Sequence, residues 1–139
     1  MAAEYLKWEN EFNTGESKID EQHQQIFKYI NQLHHAIKMD KDEDEVNEIL
    51  KGLKDYSIYH FNLEEEMMKN KLYPKFESHH GEHVIFIDRL EMLAADMRIK
   101  NRSISMRLLK FLKVWFSGHI LNTDKKFVQF LLPGTEKPE

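Results

Sequence analysis

Leu53-Lys54-Asp55-Tyr56-Ser57-Ile58-Tyr59-His60-Phe61-Asn62-Leu63-Glu64-Glu65-Glu66-Met67 decides how this chain folds. Leu53, Tyr56, His60, Glu64 and Met67 recur at steps of three and four residues, which places them on one stripe of an α-helix. Followed backwards, the stripe passes through Ile49 and Val46, so the spacing predicts a helix over about 45–70. Two members of that stripe are an imidazole and a carboxylate in the middle of an otherwise apolar face. The same stretch therefore sets both an architecture and a chemistry.

Three further amphipathic stretches surround it. His23, Phe27, Ile30, Leu33, His34 and Ile37 share a face over about 18–39, after an irregular arm at 1–16. Phe76, His79, His83, Phe86, Leu90, Leu93 and Met97 do the same over about 75–99, and Leu108, Leu112, Trp115, His119 and Phe127 over about 104–130. The breaks fall at the charged segment 40–44, at Lys71-Leu72-Tyr73-Pro74, and at Asn101-Arg102-Ser103 with Ser103 as the expected N-cap. Connections this short join antiparallel neighbours, so the expected fold is all-α, an up-down-up-down four-helix bundle.

Composition narrows the possibilities. A chain of 139 residues, 41% hydrophobic and 32% charged, suits one globular domain spanning 1–139. Pro74 is the only proline before Leu132, which favours long uninterrupted helices. No cysteine is present, so disulfides, iron–sulfur clusters and thiolate metal sites are excluded. A net charge of −4 argues against nucleic acid as a partner. The N-terminus lacks the apolar run of a signal peptide, and no stretch reaches the ~18 apolar residues of a membrane span. A cytoplasmic protein is expected.

Seven residues stand out chemically: His23, His60, Glu64, His79, His83, His119 and Asp124. His60/Glu64 and His79/His83 are i, i+4 pairs, so each pair lies on one helix face. Any one of them alone is unremarkable, since a single histidine or pair is often core or surface. Threading the helices up and down changes that. The ligand sets of the first and third helices follow the helix start by about 5 and 6 residues, and those of the second and fourth precede the end by about 8 and 9. All four then lie about 8–13 Å from the same end of the bundle. Five imidazoles and two carboxylates buried together without metal would be heavily penalised, and that donor set suits iron, zinc or manganese. Asp124 is five residues after His119, about 140° around a regular helix. Either the helix widens locally or the carboxylate approaches from the side. His34 is roughly 16 Å further along its helix than His23 and is expected to pack as a boundary histidine. His35 and His80 point off the stripe, and Glu65, Glu66 and Glu82 read as surface charge, with one of them able to accept a ligand ring N–H.

These residues resemble the hemerythrins, and more narrowly the bacteriohemerythrins. The matching elements are Asp20-Glu21-Gln22-His23, His60-Phe61 with Glu64-Glu65, His79 with Glu82-His83, and His119-Ile120 with Asp124, together with Trp8 and Ile19-Asp20. The resemblance implies two Fe ions in an oxo- or hydroxo-bridged centre that reversibly binds O₂. His79, His83 and His119 would hold one iron, His23 and His60 the other, and Glu64 and Asp124 would bridge them. Ile26, Phe61, Phe86, Trp115, Phe116 and Ile120 would wall the O₂ pocket, with Phe116 bulkier than the leucine expected there. The ferritin-like di-iron oxidases use more carboxylates and paired Glu-x-x-His motifs, whereas the only such motif here runs from Glu77 to His80. Oxygen storage or delivery to an oxygen-consuming enzyme, by a monomer, is the leading expectation. The alternatives are a di-iron enzyme handling nitric oxide, peroxide or iron-centre repair, iron or zinc sequestration, and a sensor module, the last disfavoured by an end near Glu139.

Overall fold

The computed structural model of the chain describes residues 4–96 and 102–132. After a 3₁₀ turn at Asn10–Phe12 come α1 (Ser17–Lys38), α2 (Glu43–Asn70), α3 (Phe76–Asp96) and α4 (Arg102–Gly118). A π-helical turn (His119–Asp124) continues α4 directly into α5 (Lys125–Leu131). The helices form the expected all-α bundle: α1 packs on α2 and α4, and α3 packs on the same two.

The helix ends follow from local chemistry. Glu16 caps α1 by accepting from the Ile19 N–H at 2.6 Å, and Asp42 caps α2 by accepting from Glu45 at 2.8 Å. The second cap starts α2 at Glu43, two residues before the expected start near 45. Both helices stop in the same manner. Asp40 and Leu72 take positive φ, and the next amides, Lys41 and Tyr73, reach back to the carbonyls of Ala36 and Met68 at 2.9 Å. The α2 stop is therefore made by the backbone at Leu72, two residues before Pro74. Ser103 is not the N-cap of α4, because Arg102 is already helical. The expected end of the third helix near 99 lies outside the described residues.

The N-terminal arm is irregular yet tied down. Asn31 on α1 accepts from the Leu6 N–H at 2.8 Å and donates to the Leu6 carbonyl at 2.9 Å. Asp20 accepts from the backbone and hydroxyl of Thr14 at 2.8 and 2.7 Å, fixing the entry to α1. Trp8 and Phe12 pack on Phe27.

Apolar packing is split along the bundle axis. A large cluster holds Ile26, Ile30, Leu33, Leu50, Leu53, Phe86, Leu90 and Leu112 among others. A small one, Ile19, Met68, Tyr73, Phe127 and Val128, closes the other end. Between them, on every helix, lie buried polar side chains. His23 falls between Ile19 and Ile26, Glu64 between Phe61 and Met68, and Asp124 between Ile120 and Phe127.

A candidate metal centre between two apolar layers

All seven residues singled out in the sequence are buried in this middle layer, none more than 4% exposed. Their atoms fall into two groups, each with one ligand atom per residue and all within 4.8 Å of one another. One group is His79, His83, His119, Glu64 and Asp124; the other is His23, His60, Glu64 and Asp124. The two carboxylates belong to both.

The carboxylate oxygens divide between the groups. Glu64 Oε1 faces His79 Nε2 at 3.6 Å and His83 Nε2 at 3.3 Å, while its Oε2 faces His60 Nε2 at 3.4 Å and His23 Nε2 at 3.9 Å. Asp124 Oδ1 lies 2.9 Å from His79 Nε2 and 3.0 Å from His119 Nε2, while its Oδ2 lies 3.0 Å from His23 Nε2. Every inward nitrogen is thus an Nε2, and each carboxylate turns one oxygen to each side. The π-helical turn makes this possible for Asp124. One extra residue in the turn lets positions five apart share a face, resolving the offset from His119 in favour of local widening. Asn122 donates to the Gly118 carbonyl at 3.0 Å within that stretch, taking up an acceptor in the widened turn.

Three of the five opposite ring nitrogens are held from outside the cluster, while His23 Nδ1 and His79 Nδ1 have no hydrogen-bond partner. His83 Nδ1 is 2.7 Å from Glu65 Oε2, His119 Nδ1 is 2.8 Å from Glu82 Oε1, and His60 Nδ1 is 2.7 Å from the Gln22 amide oxygen. Each outer acceptor fixes the tautomer: Nδ1 carries hydrogen, and Nε2 is left as a lone pair aimed inward. Two of these outer groups are themselves anchored, Glu65 by His80 at 2.7 Å and Glu82 by the Thr123 hydroxyl at 2.9 Å. The sequence left Glu65 and Glu82 as surface charge with room for one such contact, and both make it. His80 points off the stripe as expected, with its side chain 44% exposed, and it also bonds Glu65 and stacks on Phe76. Gln22 stands in the Asp20-Glu21-Gln22-His23 match, but its contact to His60 carried no signal in the sequence.

Several observations of the donor set fit a metal. His83 Nε2 and His119 Nε2 face each other at 3.2 Å, although both rings already donate through Nδ1. Two bare nitrogens at that distance repel unless a cation lies between them, either a proton on one ring or a metal ion. His23 Nε2, His60 Nε2, both Glu64 oxygens and Asp124 Oδ2 are buried without a hydrogen bond, even where the distance alone would allow one. They converge on shared points rather than on each other, and burying so many unpaired polar atoms is costly without an ion to satisfy them.

The electrostatics say the same. Burial pulls the imidazoles of His79 and His119 down, but contacts to Asp124, Glu64 and, for His119, Glu82 outweigh it and hold them at about 9 and about 10. Burial and the mutual repulsion of the carboxylates push Glu64 up, yet His60 and His79 bring it well below its ordinary value. Burial likewise pushes Asp124 up, and His119, His23 and His79 overcome it. The pocket attracts positive charge.

Aromatic rings pack directly against the histidines. Phe61 stacks on His83 with ring centroids 3.9 Å apart, and Trp115 stacks on His119 at 4.3 Å. Phe86 packs against Phe61, Trp115 and Phe116, and Ile26 and Ile120 are fully buried in the same apolar cluster. His34 lies elsewhere, stacked on Tyr5 at 4.5 Å. His35 is exposed.

Known proteins resemble this chain in sequence and fold. Residues 14–131 match the Hemerythrin HHE cation binding domain. The chain is 32% identical over 127 residues to a bacteriohemerythrin of Pseudomonas aeruginosa, covering 89% of this chain and 80% of that one. It is 32% identical over 124 residues to the myohemerythrin of Theromyzon tessulatum, covering 89% and 92%. A crystal structure of a hemerythrin point mutant superposes with a TM-score of 0.83 at 27% identity, covering 93% of this chain and 98% of that one. Fold, buried donor set and sequence agree: the chain belongs to the hemerythrin family.

Proposed function

We propose that the chain reversibly binds O₂ at a di-iron centre. In this reading His79, His83 and His119 would hold one iron, His23 and His60 would hold the other, and Glu64 and Asp124 would be shared between them. The observation that carries it is the division of both carboxylates, one oxygen toward each histidine group. Two iron ions, when bound, supply the electrons and the free coordination position that take up and release O₂. The four-donor group on the His23/His60 side leaves more of that position open than the five-donor group opposite.

The chain's own residues do the rest. Glu65, Glu82 and Gln22 hold the Nδ1 protons of His83, His119 and His60, so the rings present lone pairs in fixed directions. Phe61, Phe86, Trp115 and Phe116 exclude water from the centre, which favours release of intact O₂ over leakage of reduced species. Among the described residues, the buried polar side chains are the seven proposed ligands, Gln22 and Ser57. Only Ser57 is left over, with no further acid or base for turnover chemistry, which favours a carrier over an enzyme. All seven proposed ligands come from one chain, so a monomer suffices, storing O₂ or delivering it to an oxygen-consuming enzyme. Among the described residues no helix is long and apolar enough to cross a membrane, and a cytoplasmic setting is part of the proposal.

Anaerobic reduction followed by air, with the visible spectrum and iron per chain read together, tests this. Two irons and an absorption that appears with O₂ and fades under vacuum are expected. Irreversible oxidation would instead make the site an enzyme or a sink, and a single metal or zinc would remove the di-iron reading.

A further inference from the structure

Charge is unevenly distributed in this acidic chain. Between Met97 and Thr123 the sequence holds six Lys or Arg residues and not one Asp or Glu, although the whole chain has 20 of the former and 24 of the latter. Part of that stretch forms one side of a groove of about 500 Å³ between α3 and α4. Arg89, Arg107 and Lys110 line it together with Phe111 and Trp115, and no carboxylate does. All three cations are exposed, and none makes an ion pair among the described residues. Arg89 lies 5.9 Å from the centre of the Phe111 ring, a cation–π contact that leaves its guanidinium edge free.

The inner wall of the groove leads to the centre. Trp115 is half-buried: it lines the groove and also lies nearly parallel to His119, at 13° with 4.3 Å between ring centroids. A π-system thus spans from a basic, aromatic, nucleotide-sized surface groove to a proposed iron ligand. The volume is within the ordinary range for small-molecule sites. The cations suit a phosphate, which arginine grips by paired N–H donors, and the two aromatic rings suit a flat conjugated ring.

We infer that the α3–α4 groove binds a phosphate-bearing flavin nucleotide, which returns the oxidised centre to its O₂-binding state through Trp115 and His119. A flavin fits the redox requirement because each ferric ion accepts one electron and flavins release electrons singly. The reduced flavin gives up two electrons and two protons. One electron converts each of the two ferric ions to ferrous, the flavin leaves oxidised, and the protons pass to solvent. The destination of the electrons rests on the di-iron reading; the binding site does not.

The test uses flavin mononucleotide and the iron-loaded protein. Binding is followed by flavin fluorescence, and anaerobic reduction of the oxidised centre by reduced flavin mononucleotide is followed by stopped flow. One flavin per chain is expected, with riboflavin, which lacks the phosphate, binding more weakly. The double variant Arg107→Glu/Lys110→Glu should weaken binding at least about tenfold, as expected for loss of a charge-assisted contact, and slow reduction in step. Arg107→Lys/Lys110→Arg should retain both, which separates charge from folding. Raised salt should weaken binding in the wild type more than in the reversed variant. No binding, equal affinity in the reversed variant, or equal reduction rates would overturn the inference. Iron content and the O₂-dependent spectrum of the wild-type protein, read in the same samples, report separately on the di-iron reading.

Discussion

The two halves of the candidate centre are built from the same imidazoles but supported differently. On the three-histidine side, His83 and His119 donate to carboxylates, Glu65 and Glu82, each anchored again by His80 or Thr123, while His79 Nδ1 has no hydrogen-bond partner. On the two-histidine side, His60 donates to the neutral amide of Gln22, and His23 Nδ1 has no hydrogen-bond partner. A carboxylate acceptor makes an imidazole a stronger donor to metal than an amide does. One half is therefore made to hold an ion firmly, the other to hold it with fewer and weaker donors, where a ligand has to come and go.

The largest break in this comparison comes from deleting ligands. His119→Ala should remove most of the iron from both positions, because the firmly held ion organises the bridging carboxylates. His23→Ala should leave about one iron per chain. Metal analysis of the two variants decides it, and equal losses would mean the halves are equivalent. Glu64→Gln should leave iron bound on the three-histidine side while uncoupling the pair. An intact bridged di-iron spectrum in that variant would remove Glu64 from the bridge.

Smaller effects sharpen the contrast. Glu82→Gln should weaken iron retention against a chelator by about 10–100-fold, the usual cost of losing such an outer partner. Gln22→Ala should cost less and act on the other ion. The reverse order would invert the asymmetry.

Protons compete for the same nitrogens. In the metal-free protein, His79 and His119 sit at about 9 and about 10, above their ordinary 6.5. Their contribution to stability is complete below about 6.5 and is lost as pH rises through 9 and 10. Glu64 and Asp124 are depressed, so theirs is present above their ordinary 4.5 and 3.8 and lost on acidification through their lower folded values. Iron binding displaces the histidine protons, so the gap in melting temperature between loaded and metal-free protein should widen from pH 6 to 9. A constant gap would show that the histidines are already neutral. Smallest of all, His34→Ala should leave iron content unchanged and cost about 1 kcal/mol or less in stability by loss of the Tyr5 stack.

How much of this was legible in the sequence depends on the range of the interaction. The four helices and the His60/Glu64 and His79/His83 pairs follow from a 3.6-residue period, a local property of the chain. The support behind the ligands does not. Gln22 and His60 are 38 residues apart, Glu82 and His119 are 37, and nothing beside Gln22 distinguishes it from a surface glutamine. The Asp124 offset showed that something had to give, but a π-turn carries no local signature that separates it from a sideways approach. Likewise the stop of α2 was assigned to Pro74, when a leucine at positive φ makes it, a conformation that side chains other than glycine rarely adopt.

The widened turn at His119–Asp124 also has a consequence for how this gene can change. A regular helix counts residues, and each one removed turns everything beyond it by about 100°. The widened turn is the exception, because it already holds one residue more than an α-turn needs. Losing Asn122, an exposed residue that ligates nothing, would let the stretch close into a plain α-turn, with Asp124 four residues after His119 and Phe127 and Val128 still facing the apolar layer that seals the end of the bundle. A single-codon deletion is therefore absorbed here, whereas one a turn earlier or later would throw the far end of the helix out of phase.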